Sequence, residues 1–170
     1  MSYISYISLP KRPKTHPSTS DKSIGIMNSG IGFWDDMNSV IFTECFKNPF
    51  VFGFDLEEMP GSYEQIHKIH FGKLEREAKE IEIKKIHEEE EIWQRQKLYE
   101  FLHHVLIIGE FAEIFTCWDS DDFNFGPPST ECKIDLEDLL NYETVKCLGY
   151  AMCPPGNTED GHKLTVYRTV

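Results

Sequence analysis

The stretch from Lys73 to Val105 constrains the fold more than any other part of the sequence, because it contains neither glycine nor proline. Glu, Lys, Leu and Ile dominate it, and these residue types favour helix. The pattern predicts one long helix, or two helices joined by a bend. A shorter helical segment is predicted just before it, at residues 64–70, with Ser62 as its cap and Gly72 as its end. Gly109 is predicted to end the long helix.

Short apolar segments separated by turn-forming residues lie on both sides of this helical stretch. Branched and aromatic content between such turns is typical of strands. The predicted strands are residues 24–27, 31–34, 40–46, 50–54, 111–118, 131–136, 145–152 and 164–168. The last two are expected to pair. Strands, then a helix, then strands again predict an α+β fold in which an antiparallel sheet packs against one long or bent helix.

The N-terminal residues differ in composition from the rest of the chain. Residues 10–22 are rich in proline, serine and lysine, which is typical of an extended linker. We therefore predict an extended or flexible N-terminal arm over residues 1–22, to which the alternation in residues 3–8 could add an edge strand. Residues 23–170 are predicted to form a single α+β domain, since this length is typical of one domain.

The charge of the chain limits its partners. The formal net charge is −12. Residues 1–22 contribute +3 and the remainder −15. A body this acidic repels phosphate backbones, so we expect no direct binding of nucleic acid. It suits a basic protein partner, because complementary potentials speed and orient encounter; solubility alone would explain the same charge.

Cysteine usage and the absence of long apolar segments indicate the compartment. The five cysteines are odd in number and no pair has CxxC spacing, which favours free thiols in a reducing environment. The N-terminus has no basic residue ahead of its short apolar stretch, so it does not read as a secretion signal. No apolar run is long enough to cross a membrane. These features predict a cytoplasmic protein without membrane contact.

Histidines provide the best candidates for a metal site. His67 and His70 lie three residues apart, with Glu64 three residues before them, and would share a helix face. This spacing is a weak motif, and surface or packing histidines explain it as well. A metal-dependent enzyme that uses His67, His70, His103 and nearby carboxylates stays open as an alternative.

Other catalytic and cofactor motifs are missing from the sequence. Asp119 and Asp121 resemble the start of a calcium loop, but the sixth position is Asn124 instead of glycine and the twelfth is Thr130 instead of glutamate. There is no glycine-rich phosphate loop and no nucleophile elbow. We expect no cofactor, no resident metal and no catalytic residues.

Two acidic clusters beside aromatic residues are the strongest candidates for a partner-binding surface. Interfaces use aromatic anchors, and charges steer the partner. An acidic run on a helix is more often a solvated face, so this assignment is a hypothesis. The candidate residues are Glu88, Glu89, Glu90, Glu91, Trp93, Asp119, Asp121 and Asp122.

The segment from Glu113 to Asp119, followed by an acidic loop and then by residues 134–139, resembles the C-terminal strands of bacterial immunity proteins of contact-dependent inhibition and polymorphic toxin systems. The resemblance covers about a quarter of the chain, and it assigns no functional residue of those families to a position in this sequence. It implies a cytoplasmic, non-enzymatic protein that binds a cognate basic toxin domain, often a nuclease, and blocks its active face. An acidic regulator that mimics DNA is a further alternative, and the oligomeric state stays open.

Overall fold

The computed structural model describes residues 3–13, 23–24, 31–36, 46–56, 58–118, 130–141 and 162–170. These residues form seven strands, two α-helices and one 3₁₀ helix. In chain order the elements are β1 (Tyr3–Leu9), β2 (Ser23–Ile24), β3 (Ile31–Asp36), β4 (Phe50–Leu56), α1 (Ser62–Phe71), α2 (Arg76–Val105), β5 (Phe111–Trp118), β6 (Thr130–Asp135), the 3₁₀ helix (Leu136–Leu140) and β7 (His162–Tyr167).

The α+β class is confirmed, but the prediction of an antiparallel sheet is wrong, because the sheet is mixed. The strand order is β2-β3-β4-β1-β5-β7-β6. All neighbouring pairs among the described strands are antiparallel except β6 and β7, which run parallel. Parallel neighbours need a long connection, and residues 136–161 provide one between these two strands. Hairpin reasoning from the sequence assumed short connections and so missed this pair.

The first strand lies inside the sheet instead of at an edge. Residues Tyr3–Leu9 pair with β4 on one side and with β5 on the other. This corrects the edge-strand prediction and puts part of the predicted N-terminal arm into the sheet. Ile7 and Leu9 are fully buried there, which explains why the alternating pattern of this segment is a core pattern. Residues 14–22 lie outside the described part of the chain.

The C-terminal part of α2 holds the helix on the sheet. Leu98, Phe101, Leu102 and Val105 recur at helical spacing and are buried. They share one core cluster with inward-facing residues of the strands and of the 3₁₀ helix: Ile7, Leu9, Phe52, Ala112, Ile114, Ile134, Leu136, Leu139, Leu164 and Val166. The long-helix prediction is confirmed, and α2 is continuous. No helix in the described residues is both long and apolar enough to cross a bilayer.

The end of α2 differs from the prediction. The helix ends at Val105 and Leu106 caps it, so the assignment of Gly109 as helix terminator is wrong. Gly109 has a φ of 90° in the turn that leads into β5 and donates its N–H to Arg168 O at 2.8 Å. The Arg168 guanidinium donates to the carbonyls of His103 and Leu106, at 2.6 and 2.5 Å, and so satisfies the exposed end of the helix.

Most strand predictions agree with the structure. The strand at residues 111–118 is confirmed residue for residue, and those near 31–34, 50–54, 131–136 and 164–168 are confirmed with shifted ends. The predicted strands at residues 40–46 and 145–152 lie outside the described residues, apart from Phe46, which is not in a strand. The described partners of β7 are β5 and β6.

The sheet face opposite α2 buries a charged pair. Glu113 Oε1 lies 2.7 Å from Lys163 Nζ, and their side chains are 1% and 7% exposed. Glu113 Oε2 also accepts hydrogen bonds from Ser8 Oγ at 2.9 Å, Lys47 N at 2.7 Å and Asn48 N at 3.2 Å. A buried carboxylate needs such partners to offset its lost hydration. The network therefore fixes the segment 46–48 against the sheet.

Removing either member of this buried pair should destabilise the fold, and Glu113→Leu should cost more than Lys163→Met. Each substitution leaves the remaining charge without its counter-ion, at a cost of about 3–5 kcal/mol in the free energy of unfolding. Glu113→Leu also removes the acceptor of three hydrogen bonds, whose donors are Ser8 Oγ, Lys47 N and Asn48 N. Urea denaturation of both variants measures the difference, and equal or reversed costs would show that the ion pair, and not the hydrogen bonds, carries the effect.

Candidate functional site: the helical hairpin

The two helices form an antiparallel hairpin joined by polar contacts at both ends. At one end, Glu90 Oε1 accepts hydrogen bonds from Met59 N at 3.0 Å and from Ser62 Oγ at 2.9 Å. At the other end, Lys79 Nζ donates to His70 O at 2.8 Å. The start of α1 therefore lies beside the middle of α2, and the end of α1 lies beside the first turns of α2.

The acidic run at residues 88–91 does not form one patch, because successive helix residues point about 100° apart. Glu90 faces α1 through the hydrogen bonds given above. Glu91 Oε1 accepts from Arg95 Nη2 at 3.2 Å, and the Arg95 side chain is 4% exposed. Glu90 and Glu91 are thus hydrogen-bonded within the chain, although the Glu91 side chain is still 38% exposed.

The other two glutamates are the most exposed members of the run. Glu89 is exposed, and Glu88 is half-exposed with its carboxylate 3.9 Å from Lys84 Nζ. The charge of Glu89 also acts on Lys85, whose pKa is raised mainly by the hydrogen bond and charge of Glu82 and to a smaller degree by Glu89. These two carboxylates stay available to a partner.

Trp93 is half-exposed and lies on the same face of α2 as Glu89, four residues earlier. Lys97 Nζ lies 5.9 Å from the Trp93 ring centroid and 2.9 Å from Glu100 Oε2. Hydrogen bonds from Lys97 and Gln96 lower the pKa of Glu100. Glu89 and Trp93 thus lie one helical turn apart on α2, and their role in binding a partner stays a prediction. Asp119, Asp121 and Asp122 lie outside the described residues.

The histidines of the alternative metal site are too far apart to bind one ion. His70 lies beside Lys79 at the start of α2, whereas His103 is in its last turn. The 24 residues between positions 79 and 103 span about 36 Å of helix. His67 and His70 are both exposed. In the described ranges, no three histidine, cysteine or carboxylate side chains lie close enough together to hold a metal ion.

Two exposed surfaces were missed by the sequence analysis. The first is an aromatic ridge on α1, formed by Tyr63, His67 and Phe71, whose spacing of four residues was the available signal. The second is an edge at β6 and the 3₁₀ helix, which we call the acidic edge, where three exposed carboxylates accompany one exposed lysine: Glu131, Asp135, Glu137 and Lys133. The alternation of charged residues along β6 was the signal for this edge.

Comparison with protein-family models, with curated proteins and with solved structures gives no match. The functional argument therefore depends on the residues of this chain, and the resemblance to immunity proteins stays a hypothesis.

Glu90→Ala should destabilise the protein, whereas Glu89→Ala should leave stability nearly unchanged. Glu90 accepts two hydrogen bonds that attach α1 to α2, and hydrogen bonds to a charged group contribute about 1.5–3 kcal/mol. The neighbouring substitution removes an exposed carboxylate, with an expected effect within about 0.5 kcal/mol. Denaturant unfolding of this matched pair measures both. Equal effects would contradict the division of the acidic run into internal and open residues.

Proposed function

We propose that this chain is a non-enzymatic immunity protein that binds a cognate basic bacterial toxin, such as a nuclease, and covers its active face. The observation that carries the proposal is the distribution of charge. Residues 62–86 contain six basic and five acidic residues and so have a net charge of +1. The rest of the chain therefore has a net charge of −13, which gives the total of −12. A nuclease that binds nucleic acid presents a cationic face, and a body of this charge complements it.

The open carboxylates of α2 support this proposal. Glu88 and Glu89 lie on a continuous helix whose C-terminal part is packed into the core, so their positions are held before a partner arrives. Binding to such preorganised groups loses little conformational entropy. Trp93 adds a partly exposed aromatic side chain, the residue type that most often anchors interfaces. We propose Glu88, Glu89 and Trp93 as the contacts on this helix.

The acidic edge at β6 and the 3₁₀ helix extends the proposed anionic surface. Tyr99 Oη donates to Glu137 Oε1 at 3.1 Å, which connects α2 to this edge. Glu131 and Asp135 lie on the same side of β6, with the exposed Lys133 between them. We include Asp119, Asp121 and Asp122 in the proposed contact set on the ground of their sequence alone.

The function is tested by expressing each product of the neighbouring genes alone and together with this chain. One product should kill cells when expressed alone and spare them when this chain is present, and the two proteins should purify as a stoichiometric complex. The proposal is refuted if no neighbouring product is toxic, or if a toxic product kills equally well in the presence of this chain. Protection against many unrelated nucleic-acid enzymes would favour the DNA-mimic alternative.

Glu88→Lys/Glu89→Lys should weaken the complex by about tenfold or more, mainly through a slower association rate, because rim charges steer encounter. The matched control is Glu77→Lys/Glu80→Lys, which makes the same charge change on the same helix at two exposed positions. Surface plasmon resonance at two salt concentrations measures the rates. If both double variants weaken binding equally, net charge alone explains the effect and the contact assignment is wrong.

A further inference from the structure

Strand β6 is the last strand of the sheet and has a neighbouring strand on one side. In the described part of the chain, the strand order ends with β5-β7-β6, and β7 is the one strand that pairs with β6. An edge strand presents backbone N–H and C=O groups with which a strand of another chain can form hydrogen bonds. The hydrogen bonds around β7 decide which groups of β6 face this outer side.

The end of β7 shows which of its backbone groups point toward β6. Arg168 N donates to Glu110 O at 2.9 Å, so Arg168 directs its backbone groups to the β5 side. Successive residues of a strand direct these groups to opposite sides. The residues of β7 that lie an odd number of positions from Arg168 therefore direct their N–H and C=O groups to β6, and these are Lys163, Thr165 and Tyr167.

The same alternation places every second residue of β6 with its backbone groups on the outer side. Glu131, Lys133 and Asp135 are the register partners of those three β7 residues. In a parallel pair, the partner of a residue that directs its groups inward directs its own groups away. A separate contact agrees with this assignment, because Asp135 N donates to Asp138 Oδ2 at 3.0 Å instead of to β7.

The backbone groups of Glu131 and Lys133 have no hydrogen-bond partner among the residues that the structure describes, and both side chains are exposed. Pairing stops at Asp135, because its N–H is already bonded and the 3₁₀ helix begins at the next residue. Two N–H and two C=O groups at the spacing of a β ladder therefore form an open edge. Groups at this spacing are matched by an extended strand.

The side chains of β6 specify the chemistry of an added strand. Glu131, Lys133 and Asp135 are exposed on one face, whereas Cys132 and Ile134 pack against the core on the other. Opposite charges directly across a ladder stabilise it, and like charges destabilise it. A matching strand therefore alternates charged with apolar residues. Its charged positions are basic, acidic and basic, opposite the Glu-Lys-Asp series of β6.

We propose that the open edge of β6 binds an extended segment of the basic partner by strand addition. The backbone bonds hold the segment, and the alternating side chains select it. The net charge of −12 favours a strand from a basic protein over one from a second copy of this chain, which the same charge repels. The identity of the partner rests on the proposed immunity function, whereas the open edge does not.

Amide hydrogen exchange of the free protein, measured by nuclear magnetic resonance, tests the open edge. The amides of Cys132 and Ile134 face β7 and serve as the control within the same strand. Those of Glu131 and Lys133 should exchange about tenfold faster or more, after correction for intrinsic rates. Equal protection of all four amides at every protein concentration would mean that the chain covers its own edge, which overturns the proposal. Protection that appears only as the concentration rises would assign the edge to a second copy and overturn the assignment to a basic partner.

A synthetic peptide with the sequence Thr-Lys-Val-Glu-Val-Lys-Thr, blocked at both ends, is the probe for strand addition. In excess it should slow exchange at Glu131 and Lys133 about tenfold or more. Methylation of its glutamate nitrogen, which would face β6, should abolish this protection, whereas methylation of a valine nitrogen, which would face away, should preserve it. The charge-reversed peptide Thr-Glu-Val-Lys-Val-Glu-Thr should protect less. Equal protection by the two sequences, or none by either, overturns the proposal.

The complex with a toxic neighbouring product separates this proposal from the immunity function. A complex in which the amides of Glu131 and Lys133 become protected supports both. A complex that forms while these two amides still exchange fast leaves the immunity function standing and overturns strand addition. If the peptide protects the edge and no neighbouring product is toxic, the immunity function fails and the edge remains a site for basic strands.

Discussion

The packing of the last two turns of α2 on the sheet is the interaction on which the rest of the structure depends. Leu98 and Leu102 are fully buried against strands from both ends of the chain, including Ile7 of β1 and Leu164 of β7. Each buried side chain of this size contributes about 1.5–3 kcal/mol relative to its exposed state. Because the core holds only this end of a 30-residue helix, the other end extends to a hairpin that solvent surrounds on most sides.

Carboxylates in this protein divide into those that hold the fold and those that are open to a partner. Glu113 is buried with Lys163, and Glu90 attaches the start of α1 to α2. Glu89, which is adjacent to Glu90 in sequence, faces solvent. The net charge of −12 therefore overstates the number of groups available for binding, since the internal carboxylates are already matched by donors.

Much of the fold could be predicted from local pattern, but the sheet order could not. The absence of glycine and proline between Lys73 and Val105 was enough to predict a long helix, and the apolar run of β5 was enough to predict its strand. The central position of β1 and the parallel pairing of β6 with β7 involve residues far apart in sequence. Local propensity carries no information on such pairings, because many strand orders satisfy the same alternation. The candidate surface was predicted in part, as the acidic run, whereas the aromatic ridge was not.

The sequence by itself determined the α+β class, the length of α2 and the acidic character of the chain, because these follow from composition and periodicity along the backbone. Tertiary structure alone decided which of the four consecutive glutamates, Glu88 to Glu91, can contact a binding partner. The helical turn separates Glu88 to Glu91 by about 100° each, and the position of α1 decides which of those directions is covered. The same contact between helices leaves Tyr63 and Phe71 on the uncovered side of α1, a placement that depends on how the hairpin packs.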